Sequence, residues 1–525
     1  MVAGTELDID RSATANEMAE AIFGDGVTVV SATYTGDNDS SGIYTNGDSI
    51  APGVTPSDTG VMFSTGDLRG FTNNSSQSNI RTNTTTNSSG PNNDPLFNAA
   101  AGTNTFDASY LDVDFIPTGD VMTMQFVFSS EEFPEFASGA YQDFVGVWVN
   151  GQFVELSAGD GDIDPNNLNG GSNSNLFVDN TGDQFNTEMD GFTLTLTLTI
   201  PVNPGVLNSI RIGIADVSDN QYDSTLLIAG DSVQTTLVAL DDTLNLNPDG
   251  TKTLDVLDND VNNTGGTLTI THINGVAVTT GSIVTLSTGQ TVELTADGKL
   301  VLVGDGDIEE FNFTYTVESS TGQTDIGMVT VDSIPCFVAG TMIRTPDGLV
   351  AVETLEPGDL VMTRDEGPQP LRWIGSREVA AVGDFAPIRI SANTFGQHGA
   401  LMLSPLHRVL IRDSLAELLF GEGEVLVAAR DLVNETSVRP MPGGKVIYVH
   451  ILFDRHQVVF SEGLETESFL PGPQTARSFE ADIVREICSL FPEIDPETGH
   501  GYSPAARRML KSYEAQLLAA AQRAA

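Results

Sequence analysis

Cysteine is nearly missing: Cys336 and Cys488 are the only two in 525 residues. Two thiols that far apart make no disulfide framework, so the fold must rest on its cores. Positive charge is scarce too. Lys and Arg number 23 against 72 Asp and Glu, a formal net charge of -49. Only Arg11, Arg69, Arg81, Arg211, Lys252 and Lys299 precede Cys336. Such a surface repels nucleic acid and anionic membranes, which removes nucleic acid from the expected partners. No stretch approaches the ~18 apolar residues of a membrane span, so none is expected. The opening Met1-Val2-Ala3-Gly4-Thr5-Glu6 has neither the basic nor the apolar region of a secretory signal. Export would therefore use a route that reads no N-terminal signal.

What is present divides at Ile334-Pro335-Cys336-Phe337-Val338-Ala339-Gly340-Thr341. Before it the chain is rich in Gly, Asn, Thr and Asp; after it come arginines, prolines and an Ala- and Leu-rich tail. The length implies several domains. Ser12 to Phe23 reads as a helix with Ser12 or Thr14 as its cap and Gly24 as its stop. Val27–Val30 and Val121–Phe128 read as strands, and Phe192–Ile200 alternates Thr with Leu as one half-buried strand. The Asn-, Ser- and Thr-rich tract from Thr72 to Asp94 reads as a long surface loop, with disorder as the alternative. Short strands with Gly and Asn turns make residues 1–232 a β-sandwich. Two acidic clusters stand out: Glu131 and Glu132 with Asp143, and Asp216, Asp219 and Asp223. They are either hard oxygen ligands for calcium or acids that form turns.

Residues 235–333 hold roughly seven short strands, an immunoglobulin- or cadherin-like sandwich. Asp255, Asp258 and Asp260 sit in its turns, as calcium ligands or as turn formers. Residues 336–473 read as a compact all-β unit, and 474–525 as a helical tail with helices over 479–491 and 504–523. The fold class is thus mainly all-β and multidomain.

Cys336 opens the third unit. Cleavage of a backbone by its own thiol needs a sulfur near the preceding carbonyl and a group to protonate the departing nitrogen. An imidazole, with its pKa near neutrality, does this well. Ser404-Pro405-Leu406-His407 places a hydroxyl three positions before a histidine, and Asp454-Arg455-His456 follows a later strand. His450, in an apolar strand, is either part of this group or a core histidine. His398 reads as a surface loop residue, and Cys488 as core on a helix. No zinc-ligand spacing occurs.

Two resemblances rest on these motifs. Gly60-Val61-Met62-Phe63-Ser64-Thr65-Gly66, Phe126-Val127-Phe128-Ser129-Ser130-Glu131-Glu132-Phe133-Pro134-Glu135-Phe136, Met189-Asp190-Gly191-Phe192-Thr193 and Ile214-Ala215-Asp216-Val217-Ser218-Asp219 resemble the bacterial choice-of-anchor L family. That resemblance implies an exported or surface module. Cys336–Thr341, Ser404–His407, His450–Val459 and Thr466-Glu467-Ser468-Phe469-Leu470-Pro471-Gly472 resemble the bacterial Hedgehog-type branch of the Hint (Hedgehog/intein) fold. It implies Cys336 as nucleophile, His407 as the group activating the Pro335–Cys336 amide, and Ser404 orienting His407. Asp454 or His456 would assist thioester resolution. The chain lacks the terminal His-Asn of an intein, so cleavage or transfer of the N-terminal part is expected rather than splicing. The hindered prolyl carbonyl of Pro335 would slow the acyl shift. The expected function is an extracellular or surface protein that cleaves itself at Pro335–Cys336, with no cofactor required and calcium as the one candidate, and with an acceptor nucleophile or a surface ligand as partner. The alternative is a surface adhesion or calcium-binding protein with an inert Hint-like module.

Overall fold

The computed structural model describes residues 2–470 except 82, 135, 137–142, 155–156, 159–160, 171–172, 247–249, 306–310, 333–335, 382–385 and 435, together with 491, 502–510, 515 and 518. It is mostly β-structure and divides into two compact units. One spans Met1–Asp242 with Thr253–Leu302 and Phe311–Thr330; the other is centred on Val331–Ala525.

In the first unit the helix forms over Ala15–Ile22. Thr14 caps it: the Glu17 carboxylate accepts from the Thr14 N–H at 2.8 Å, and the Thr14 hydroxyl accepts from the Glu17 N–H, a reciprocal capping box. Its buried face, Met18, Ala19 and Ile22, joins a core fed by two sheets. One sheet is centred on Val121–Ser130, flanked by Ser224–Ala229 and Gly191–Thr193. The other runs Val27–Thr35, Thr105–Pro117, Asn208–Val217, Phe144–Val149 and Gln152–Val154. Alternating inward residues such as Met122, Met124 and Phe126 face Leu111, Val113 and Ile212 across the core.

Two sequence expectations change here. The strand read over Phe192–Ile200 is broken into Gly191–Thr193 and Leu196–Pro201. Phe192 pairs with Ser129 and Leu196 with Phe126, so this side carries one extra residue, a bulge. The Thr193 hydroxyl accepts the Phe128 N–H at 3.1 Å in place of a ladder bond. The tract from Thr72 to Asp94, apart from residue 82, is no loose loop. Its Ser78 and Thr84 are buried, and its backbone N–H groups donate to side-chain carboxylates: Thr84 to Glu131, Thr86 to Asp223 and Ser88 to Asp107. Composition signalled a polar segment, but buried acids need donors, and the tract supplies them.

The Ig-like part of this unit pairs Leu268–Ile273 with Phe311–Ser319 and Ile283–Thr285 with Thr291–Leu294. Phe313, Tyr315, Val292 and Leu300 fill its core. Its turn acids serve local bonds. Asp255 pairs with Lys299 Nζ at 3.0 Å, and Asp260 accepts from the Leu240 N–H at 2.9 Å.

In the second unit a six-stranded sheet runs Trp373–Ala380, Lys445–Leu452, Phe337–Val338, Leu401–Leu403, Ile388–Ile390, Val438–Pro440. A second sheet contains Met342–Thr345, Val458–Ser461, Leu464–Glu467, Arg408–Arg412 and Glu424–Ala428. Both feed one core through Phe337, Leu403, Val449 and Ile451 on one side and Ile343, Val409, Val425 and Val459 on the other. The tail keeps a C-terminal helix, with Ala515 and Leu518 helical, but the helix expected from residue 504 does not begin there. Arg508–Met509 is a short strand parallel to Glu424–Ala428, and the Leu510 N–H donates to Leu426 O at 2.9 Å. Here an available strand edge and burial of Leu510 override helix propensity. Residues 479–490 with Cys488, and His500 and Lys511, lie outside the described residues.

Candidate functional site around Cys336

The site is built by strand register. Phe337–Val338 is a central strand, paired on one side with Lys445–Leu452 and on the other with Leu401–Leu403. Phe337 faces Val449 and Leu403, so one residue earlier Cys336 stands between His450 and Ser404. The Cys336 Sγ lies 3.4 Å from His450 Nε2. The Cys336 N–H donates to Ser404 Oγ at 2.7 Å, and the Ser404 N–H donates to Cys336 O at 3.0 Å. Cys336, Ser404, His407 and His450 are all buried.

His407 ends the turn that Ser404 begins, its N–H donating to Ser404 O at 3.1 Å. Its ring packs edge-on to Phe337, with centroids 4.3 Å apart. Neither ring nitrogen makes a hydrogen bond of full geometry among the described residues, but the ring is close enough to the Cys336 backbone for that contact to favour its protonated form. The Ser404 hydroxyl therefore holds the Cys336 amide rather than the His407 ring. Burial pulls the His407 pKa down to about 4; nearby Glu467 opposes this and Arg408 adds to it. At neutral pH the ring is an uncharged base, and once protonated it is a strong proton donor.

Behind His407 stands Glu467, fully buried. Burial raises its pKa, but the Arg408 guanidinium, His456 and His407 outweigh this and bring it down to about 2. Glu467 Oε1 accepts from the Arg408 N–H at 2.8 Å. His456 Nδ1 accepts from the Ala506 N–H at 2.9 Å, so Nε2 carries the proton and points at Ser468 O, 3.1 Å away, with Glu467 Oε2 at 3.5 Å. His456 thus braces Glu467. Asp454 is more than half exposed and faces Arg372 Nε at 3.2 Å; it is not among the groups bracketing Cys336. His398, read as a surface loop residue, is buried, accepting the Phe395 N–H at its Nε2, 3.1 Å away. Pro335, Pro471 and Gly472 lie outside the described residues. The group left open by the sequence is His450. Its proximity to the thiol follows only from pairing strands over a hundred residues apart, and no local pattern encodes that.

The six acids of the first unit separate. The Glu132 side chain accepts from the Asp143 N–H at 3.1 Å, and Asp143 from the Val217 N–H at 3.3 Å. Asp223 and Asp216 stand close by, each within electrostatic reach of Asp143. Glu131 turns toward Thr84, with Glu188 and Asp190 as neighbours, and burial lifts its pKa to about 8. Asp219 caps a local turn, accepting from the Gln221 N–H at 3.0 Å. Asp107, absent from the sequence reading, belongs with the group: it is buried and within reach of Asp216 and Asp223.

Comparison with known proteins gives these regions names. A model of the Choice-of-anchor L domain matches residues 7–234, one of a bacterial Ig domain matches 234–332, and one of the Hint domain matches 335–473. The unit that Cys336 opens is thus of the Hint class, a self-processing module. The chain carries the three domains in that order, choice-of-anchor L, bacterial Ig and Hint. No curated protein matches it. Among solved structures, the gp41-1 intein is 12% identical over 26% of this chain and 98% of its own, with a TM-score of 0.17. The Msm DnaB1 intein splicing domain bound with zinc is 14% identical over 25% and 98%, with a TM-score of 0.17.

Proposed function

We propose that the chain cleaves itself between Pro335 and Cys336. His450 takes the thiol proton, and Cys336 Sγ attacks the Pro335 carbonyl carbon. His407, once protonated, gives its proton to the nitrogen of Cys336 as the C–N bond breaks, and His450 returns the thiol proton to solvent, from which His407 is reprotonated; the net result is a thioester and a free amine. Water or an external nucleophile then opens the thioester, and the N-terminal part is released or transferred. Ser404 holds the departing nitrogen through its N–H, and Glu467, held by Arg408 and His456, keeps negative charge beside His407. The observation that carries this reading is the bracketing of one residue from both sides: imidazole on its sulfur and hydroxyl on its amide. The choice-of-anchor L and Ig domains and the net charge of -49 support placement of the released part outside the cell.

The test is incubation of the purified full chain with a thiol or hydroxylamine, followed by intact-mass measurement. Two fragments meeting at residues 335 and 336, abolished in Cys336→Ala, are expected. A wild-type chain that stays whole under prolonged thiol treatment overturns the reading. Protease shaving of intact cells tests the location: shielded anchor and Ig domains would refute it.

A further inference from the structure

The strand register of the first unit brings a set of carboxylates to one end of its sandwich. Asp216 ends Asn208–Val217, and because Ala215 pairs with Phe144, Asp216 stands opposite Asp143. Asp216 also pairs with Phe106, which puts Asp107 alongside. Across the core, Ser224 pairs with Ser130, which puts Asp223 next to Glu131 and Glu132. Asp107, Asp143, Asp216, Asp223 and Glu132 are each 2% exposed or less. No Lys or Arg is among the groups shifting Asp143, Asp216 or Asp223.

Three of these acids, Asp143, Asp223 and Asp107, share one pattern: one oxygen is held by a backbone N–H and the other is left bare. Asp143 Oδ1 accepts from Val217, Asp223 Oδ1 from Thr86 and Asp107 Oδ2 from Ser88. The opposite oxygens, Asp143 Oδ2, Asp223 Oδ2 and Asp107 Oδ1, are buried without a hydrogen-bond partner, as is Asp216 Oδ1. Asp143 and Asp216 are side-chain neighbours, with the Ser224 hydroxyl beside Asp143 and the Thr65 hydroxyl beside Asp216. The fold makes room for this. A Cβ on Gly66 would fall 1.9 Å from Asp223 Oδ2. A buried carboxylate with a bare oxygen costs several kcal/mol unless a positive charge meets it. Among the described groups acting on Asp143, Asp216 and Asp223 here, none is positive.

We propose that Asp143 and Asp216 bind a calcium ion at this end of the choice-of-anchor L domain, with Thr65, Ser224, Asp223, Asp107 and Glu132 around it. Hard oxygen donors of mixed type in an irregular pocket suit calcium, which takes six to eight of them, better than magnesium. Among the described residues no three His, Cys, Asp or Glu side chains form a finished cage. The core of the site is therefore the two-carboxylate pair, and hydroxyls, water and the rim acids complete it. This inference stands apart from the chemistry at Cys336.

The experiment is calorimetric titration of the EDTA-treated full chain with calcium chloride, paired with thermal melting. Saturable binding at or below the ~10⁻⁴–10⁻³ M typical of extracellular modules is expected, with a rise in Tm. Asp143→Asn and Asp216→Asn should each weaken binding roughly tenfold or more, since affinity follows ligand charge. Asp120→Asn, exposed and remote from the pair in the strand register, should bind as the wild type does. Absence of saturable uptake by the wild-type chain overturns the proposal, whatever the variants do. So does equal loss in Asp120→Asn, which would mark diffuse attraction to an acidic surface, and so does an equal response to magnesium.

Discussion

Two carboxylates, each fully buried, lie in different units and have opposite fates. Asp325, in the Ig-like part, accepts from the Ala239 N–H at 2.8 Å and from Gln125 Nε2 at 3.3 Å. Burial dominates it, Asp260 adds repulsion, and its pKa rises to about 8. Glu467, in the Hint unit, has Arg408, His456 and His407 beside it, and its pKa falls to about 2. Burial alone does not decide a charge state; the sign of the neighbours does. The scarcity of Lys and Arg before Cys336 is thus more than a surface property. It leaves the acids of the first unit to be neutralised by protons or by an external cation, whereas the Hint unit carries its own counter-charges and can hold a charged relay beside its thiol.

Four experiments press on that contrast. The largest effect is expected at the thiol: His450→Ala should slow fragment formation by roughly 10²–10⁴-fold in a thiol-induced cleavage assay, the range for a lost general base. An unchanged rate would place His450 outside the chemistry. Next is Arg408→Leu, which leaves Glu467 buried without its guanidinium. A loss of about 3 kcal/mol is expected by denaturant unfolding, the low end for such a break because the Arg408 side chain is 26% exposed.

The pH dependence should run in opposite directions. Asp325 has a folded pKa of about 8 against an ordinary 3.8, so its stabilisation is full below 3.8 and is lost as pH rises through 8. Glu467 stabilises above its ordinary 4.5, and that is lost as pH falls through about 2. His407, lowered from 6.5 to about 4, gives up stability as pH falls between those values. Peptide-resolved hydrogen exchange on the full chain should show the Ig-like strands tightening, and the Hint strands loosening, as pH drops from neutral toward 4. Asp325→Asn should remove the first trend, each unit of pH being worth at most about 1.4 kcal/mol. The smallest effect is at Asp454→Ala. An exposed pair with Arg372 is worth about 0–1 kcal/mol, and cleavage should proceed at the wild-type rate. A large loss of cleavage there would return Asp454 to the site.

The candidate site was legible in part. The Ser404-to-His407 spacing and the border at Cys336 are local features, and both residues come to the same buried place. The role of the Ser404 hydroxyl was not legible, because a spacing does not say which of two nearby groups a side chain will bond. Nor was His450, which looks like any polar residue in an apolar strand. Asp107 was hidden because no other acid lies within four residues of it in sequence; the strap from Thr72 to Asp94 and the pairing with Asp216 bring it in.

The sequence by itself determined most of the strands, a helix capped at Ser12 or Thr14, the charge imbalance and the division at Cys336, because periodicity, capping and composition act over a few residues. Only the tertiary structure decided which histidine faces the sulfur, which acids share one end of a sandwich, and that Arg508–Met509 forms a strand. Those outcomes depend on register between distant segments. A strand's pattern states which residues point inward, but which partner lies opposite them is chosen by the packing of the whole core.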